Sequence, residues 1–156
     1  CIRDRYTRQA FYHHARTFTH FMTEEKFNVV ILDVADFKLI NGTYGTKKGN
    51  EVLVYLSNAF RYYVKNGLLT RYEGDQLLGL FHSKVKMDVE RINRNINKIA
   101  EEAPIPNIRI KVGIYEDIDT SLSIPIICDR ALMAEKSISK DFKTNVAFYT
   151  DEMNQK

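Results

Sequence analysis

The chain predicts an α+β domain in which helices pack on a mixed central sheet. Three observations carry that prediction. Phe27–Val34 is a continuous apolar run rich in β-branched residues, which suits a central strand buried on both faces. Two short apolar runs flank Glu73-Gly74-Asp75, a hairpin signal that excludes a wholly parallel sheet. Between the strands lie segments whose apolar residues recur three and four apart, the period of helices that cover a sheet.

In chain order, residues 4–24 read as a helix with Phe11, Ala15, Phe18 and Met22 on one face. The strand Phe27–Val34 follows, and then a polar segment with Asn41-Gly42 and Tyr44-Gly45 that is expected to turn the chain. Residues 50–66 form the next helix, burying Val52, Leu53, Leu56, Phe60 and Val64, with Gly67 as its C-terminal cap. Residues 68–72 and 76–82 are the hairpin strands. Residues 86–102 are helical, with Val89, Ile92, Ile96 and Ile99 spaced three and four apart, and Pro104 and Pro106 end the helix. Ile108, Ile110, Val112 and Ile114 alternate with Arg109, Lys111 and Gly113, giving a strand with one buried face. Ser123 caps a last helix with Ile124, Ile127, Cys128, Ala131 and Leu132 inside, and residues 145–149 are the final strand. The order α-β-α-β-β-α-β-α-β fits a ferredoxin-like palm, in which carboxylates sit on a strand end and a hairpin.

The 156 residues make one domain with a core, and no repeat or internal linker divides them. No apolar run reaches the ~20 residues that span a bilayer, and the N-terminus lacks a signal-peptide h-region. A cytoplasmic location is expected, with an anchor elsewhere in a longer protein left open. The abrupt start at Cys1 suggests a piece of such a protein. The net charge of +3 permits phosphate ligands without suggesting a nucleic-acid surface. Cys1 and Cys128 read as free thiols. His13, His14, His20 and His82 have no metal spacing with a cysteine or acidic neighbour.

Asp33 at the end of its strand and Asp75 in the hairpin turn form a seat for Mg²⁺ and a nucleoside triphosphate. Mg²⁺ takes oxygen ligands, typically one or two carboxylates completed by phosphates and water. The plainer reading of Asp33 is a cap on the next segment.

Four ordered segments resemble the GGDEF domain, the diguanylate cyclase module of bacteria, and cover nearly the whole chain. IRDRYTRQAF partly matches the entry segment LTGLxNRxxF. LDVADFKLINGTYGTKKGNEVL matches the D-x-D-x-FKxxND-x-GHxxGDxxL block closely. RYEGDQL stands for RxGGDEF, and DRALMAEKSISK for ADxALYxAKxxGR. The resemblance implies that Asp33, Asp75 and the Val34 carbonyl hold Mg²⁺. Ala35 replaces an acidic residue common in the family, and Asp36 beside it is out of register. Asn41 and Asn50 fall on the guanine-reading pair, normally Asn and Asp. An amide at 50 offers one oxygen acceptor where a carboxylate takes both guanine donors. Asn50 is equally well suited to a helix N-cap. Phe37, Lys38, Gly74, Lys136 and Lys140 match positions near the triphosphate. Lys136 and Lys140 share a helix face if the helix extends that far, or form a solvated basic face.

The turn departs from the motif. Glu73 replaces its first glycine, adding bulk and negative charge, and Gln76 replaces the glutamate and can neither take a proton nor bring charge to a metal. Leu77 stands in place of the phenylalanine. The product-inhibition motif RxxD would need Arg and Asp where Val64 and Gly67 stand. The resemblance therefore implies a degenerate, regulatory domain of cyclic di-GMP signalling that senses GTP or controls an attached domain. A weakly active cyclase making cyclic di-GMP from two GTP, and a dimerisation or docking module with an empty site, are the alternatives. The implied partners are GTP, an N-terminal sensor, a homodimer mate and a C-terminal EAL phosphodiesterase, into which the tail FYTDEM resembles the usual lead.

Overall fold

Phe27–Val34 forms β1, the central strand of a five-stranded sheet in the computed structural model, which describes residues 8–21, 26–63, 67–72, 75–82, 87–138 and 145–154. Its other strands are β2 (Leu68–Arg71), β3 (Leu77–His82), β4 (Ile110–Tyr115) and β5 (Val146–Phe148). They lie in the order β2-β3-β1-β4-β5, with every neighbouring pair antiparallel except β4 and β5. The mixed sheet expected from the hairpin is what forms.

Alternation along β1 divides the core. Val30, Leu32 and Val34 face a layer made by α3 (Thr46–Tyr63) and α4 (Val89–Glu101), where Val52, Leu56, Phe60, Ile96 and Ile99 are buried. Val29 and Ile31 face α1 (Arg8–Phe21) and α5 (Ile124–Lys136), where Phe11, Ala15, Ile127, Cys128 and Ala131 are buried. Apolar surface on both faces of one strand thus requires helices on both sides. Among the described residues, no helix is long and apolar enough to cross a membrane.

The structure departs from the sequence reading at several points. The segment with Asn41-Gly42 is not a turn but α2 (Phe37–Tyr44), a helix that tolerates Gly42 in its interior. The break comes at Gly45, whose φ of 92° is open to glycine and costly for other residues. Consequently α3 begins at Thr46, and Asn50 lies inside the helix rather than at its N-cap. Gly67 is needed for a close approach to β3: a Cβ there would run into the Leu80 carbonyl and Phe81. Ser123 occupies the N-cap position of α5 without a side-chain capping bond, whereas Asp88 caps α4 by accepting from the Glu90 amide at 3.0 Å. A short 3-10 helix, Asp151–Asn154, follows β5. Val64, Glu73, Gly74 and Lys140 lie outside the described residues, as does Cys1, whereas Cys128 is a buried free thiol.

Candidate functional site

Asp33 leaves β1 on the face that carries Val29 and Ile31, one residue before the strand ends. Its carboxyl meets that of Asp75, which follows β2 and precedes β3. The hairpin thus brings the second acid to the edge of the central strand. The Asp75 carboxyl lies within hydrogen-bonding reach of Asp33 and of the backbone N–H groups of Val34 and Asp75 itself. In an extended strand a residue's N–H and C=O point to the same side. The Val34 carbonyl therefore also faces the Asp75 edge.

Two acids this close in a partly dry setting cannot both ionise easily. Burial, followed by the hydrogen bond and charge of Asp33, pushes the Asp75 carboxyl up to about 7. Burial also raises Asp33; the Asp75 hydrogen bond opposes that rise, Glu135 adds to it, and Lys111 opposes it. The pair presents hard oxygen donors with too little neighbouring positive charge to balance them, which fits a hard divalent cation. Among the described residues, no group of three or more His, Cys, Asp or Glu side chains is arranged to hold a metal. A seat here depends on two carboxylates plus oxygens from a ligand.

The pair opens into a cavity of about 450 Å³ lined by Asp33–Leu39, Asp75 and Lys111. The N-terminus of α2 forms one wall. Asp36, its cap residue, adopts left-handed φ 57° and ψ 41° and makes no side-chain cap bond. The first backbone amides of α2, at Phe37 and Lys38, have no carbonyl one turn earlier in the helix, and such amides suit an anion. Strand alternation therefore does not decide the place of Asp36, because β1 ends at Val34. The left-handed turn sets it on the rim of the same cavity.

Phe37 and Lys38 line this cavity, whereas Lys136 does not. Lys136 is exposed in the last turn of α5, and the helix stops at Ser137. Lys136 is thus the last residue of α5, and the face expected to be shared with Lys140 falls outside the described residues. Asn41 lies beside Gly49, where a Cβ would strike the Asn41 amide, and exposed Asn50 is the next residue. The structure thus sets Gly49, the chain neighbour of Asn50, against Asn41 where α2 packs on α3. The Asn41 Oδ1 atom is buried with no hydrogen-bond partner. Gln76 Oε1 is also buried and unpartnered, while the Gln76 carbonyl accepts from the Tyr72 amide at 2.8 Å across the hairpin.

Two neighbours of the pair escape a reading of the sequence. Lys111 lies directly opposite Asp33 in the β1–β4 register. Glu135 is 2% exposed and touches Asp33. Glu135 gets there because Gly113 lets α5 lie against β4: a Cβ at 113 would meet the Ala131 carbonyl and the Glu135 amide. Glu135 did carry one sequence signal, since it stands where the pattern ADxALYxAKxxGR has alanine.

A family model described as "Diguanylate cyclase, GGDEF domain" matches residues 5–140. Diguanylate cyclase DosC of Escherichia coli K12 is 32% identical over 103 residues, covering 65% of this chain and 21% of DosC. Diguanylate cyclase A of Treponema denticola is 25% identical over 123 residues, covering 72% of this chain and 33% of that protein. The chain therefore spans a third or less of the length of these relatives. Among solved structures, the active GGEEF domain of a diguanylate cyclase from Vibrio cholerae has a TM-score of 0.71 at 20% identity, covering 93% of this chain and 97% of that one. The GGDEF domain of YfiN from Pseudomonas aeruginosa has a TM-score of 0.75 at 18% identity, covering 96% and 93% respectively. At such identities the likeness is one of fold.

Proposed function

The chain belongs to the GGDEF domain family of cyclic di-GMP signalling, and on that premise we propose that it is a regulatory member that binds GTP without converting it to cyclic di-GMP. The observation that carries this reading is the meeting of Asp33 and Asp75 at the mouth of the α2 cavity, beside a neutral Gln76. Mg²⁺ would be held by Asp33, Asp75 and the Val34 carbonyl, where it supplies positive charge to the phosphates. The amides of Phe37 and Lys38, with the Lys38 ammonium, receive phosphate oxygens. Asn41 and Asn50 read guanine with one charged acceptor fewer than the family pattern.

Binding and turnover separate at residues 73 and 76. Attack of one 3′-hydroxyl on the α-phosphate of a second GTP needs deprotonation and charge stabilisation together. Gln76 supplies no carboxylate for either task, and Glu73 brings a negative charge where the family motif has glycine. A domain that binds without turnover regulates what it is joined to, and an attached EAL phosphodiesterase is the partner we assign it.

The test is calorimetry with GTP, with and without Mg²⁺, alongside chromatography of the reaction mixture. Tight Mg²⁺-assisted binding with no cyclic di-GMP is the expected result. The double substitution Glu73→Gly with Gln76→Glu should restore more turnover than either change alone, because both defects act on one transition state. Product from the parent at rates typical of intact cyclases would overturn the regulatory reading. Absence of any GTP binding would leave a docking module.

A further inference from the structure

We propose that Lys111 is a phosphate-holding residue of the Asp33 cavity, a fixed cation that grips a polyphosphate chain both with and without a divalent metal. The inference rests on the nucleotide reading above and deepens it.

Lys111 stands directly beside Asp33 in the antiparallel β1–β4 pair, so both side chains leave the same face of the sheet. It is half-buried, and it is the β4 residue that lines the 450 Å³ cavity. An adjoining cavity of about 230 Å³ shares Ala35, Asp36, Leu39 and Lys111 with the first. Lys111 is the one cation lining both spaces, within reach of a phosphate chain that occupies either.

Among the described residues, no other group claims its ammonium. Lys111 acts electrostatically on Asp33 but closes no ion pair with a described residue. Arg109, the other cation lining the smaller cavity, is held by Asn145, whose Oδ1 accepts from its Nε at 3.1 Å. Lys38, the second cation of the larger cavity, is exposed on α2. An ammonium has three donors and no acceptor, so it needs oxygen partners beyond one carboxylate. Partial burial makes each of those contacts worth more than it would be in open solvent. The amides at the start of α2 face the same space, so donors approach it from two different elements.

The experiment is calorimetry with inorganic tripolyphosphate and with GTP, each in Mg²⁺ and in EDTA, on the parent, Lys111→Met, Lys111→Arg and Lys98→Met. Lys98 is exposed on α4, in the other helix layer, and serves as a control for net charge. The Met variant keeps most of the aliphatic stem and should bind both ligands roughly tenfold more weakly than the parent in both media, the loss expected for one charged hydrogen bond. The Arg variant should stay much closer to the parent, and Lys98→Met should not change binding. A Met variant that binds like the parent overturns the proposal and leaves the nucleotide reading standing. So does a loss seen only in Mg²⁺, because Lys111 would then act through the carboxylates. A parent that binds neither ligand overturns both. Thermal melts establish that each variant folds, and Lys111→Gln replaces the Met variant if that one does not.

Discussion

Asp75 shows how a single group links stability to binding. In the folded chain its carboxyl titrates at about 7, well above its ordinary 3.8, chiefly because burial and Asp33 disfavour its charge. Between those values the folded protein holds a proton that the unfolded chain has released. Metal-free stability should therefore fall as pH rises from about 4 through about 7. Removing the second charge removes the effect: Asp75→Asn should flatten the curve of Tm against pH and melt above the parent near pH 8. A mutant that retains the parent's slope would assign it to other groups. A cation competes with the same proton, so Mg²⁺ affinity should rise over that interval. Asp33 and Asp75 were legible in the sequence because one ends an apolar run and the other sits in a hairpin turn, each within a matching motif. Lys111 was not, because nothing local marks a residue whose importance comes from the strand lying beside it, and Glu135 showed only as a departure from alanine in the family pattern.

At the scale of elements, the site depends on how closely α5 lies on β4. Gly113 faces backbone atoms of α5 at Ala131 and Glu135, which cannot move aside as a flexible side chain can. Gly113→Ala should cost about 3 kcal/mol, or roughly 6–12 °C in Tm, the upper end for overpacking. It should also shift Glu135 away from Asp33, and a thermal melt indistinguishable from the parent's would refute the tight contact. Gly49 is a contrasting case. There the obstacle is the end of the Asn41 side chain, so Gly49→Ala should leave Tm nearly unchanged while weakening GTP binding, as titration would reveal. The α2 helix was the element least legible in sequence, since Asn-Gly and Tyr-Gly pairs normally punctuate turns. Its place at the end of β1 and its contact with α3 override that local preference.

Across the whole molecule, two apolar clusters sit on opposite faces of one sheet, and the candidate site lies at one end of that sheet, where β1 stops. Neither cluster includes Asp33 or Asp75. Asp33→Ala should therefore fold normally. Ligand binding adds stability by mass action, about 2.7 kcal/mol at a hundredfold excess over Kd. For a chain of this size that is a rise of roughly 5–10 °C in Tm. Saturating GTP with Mg²⁺ should produce such a rise in the parent, and Asp33→Ala should lose most of it. Equal shifts in both would separate the nucleotide from the carboxylate pair. At the opposite end of the sheet, Arg130 stacks over Tyr115 and Tyr149 at 5.4 and 5.0 Å and donates to the Tyr115 hydroxyl at 3.0 Å, tying the segment after β5 to α5 and β4.

The sequence by itself determined which segments become strands and most of the helices, because the apolar period is a local property set by which faces must leave water. It also determined the family, through four ordered motifs, and it named the two acids. Tertiary structure decided their relationship. Asp33 and Asp75 are far apart in the chain and meet only because β3 pairs with β1 and brings Asp75 beside it. Register decided that Lys111 faces Asp33. The absence of a side chain at Gly113 decided that Glu135 does as well. Such pairings follow from non-local packing, in which two residues meet because larger surfaces elsewhere have already been buried together.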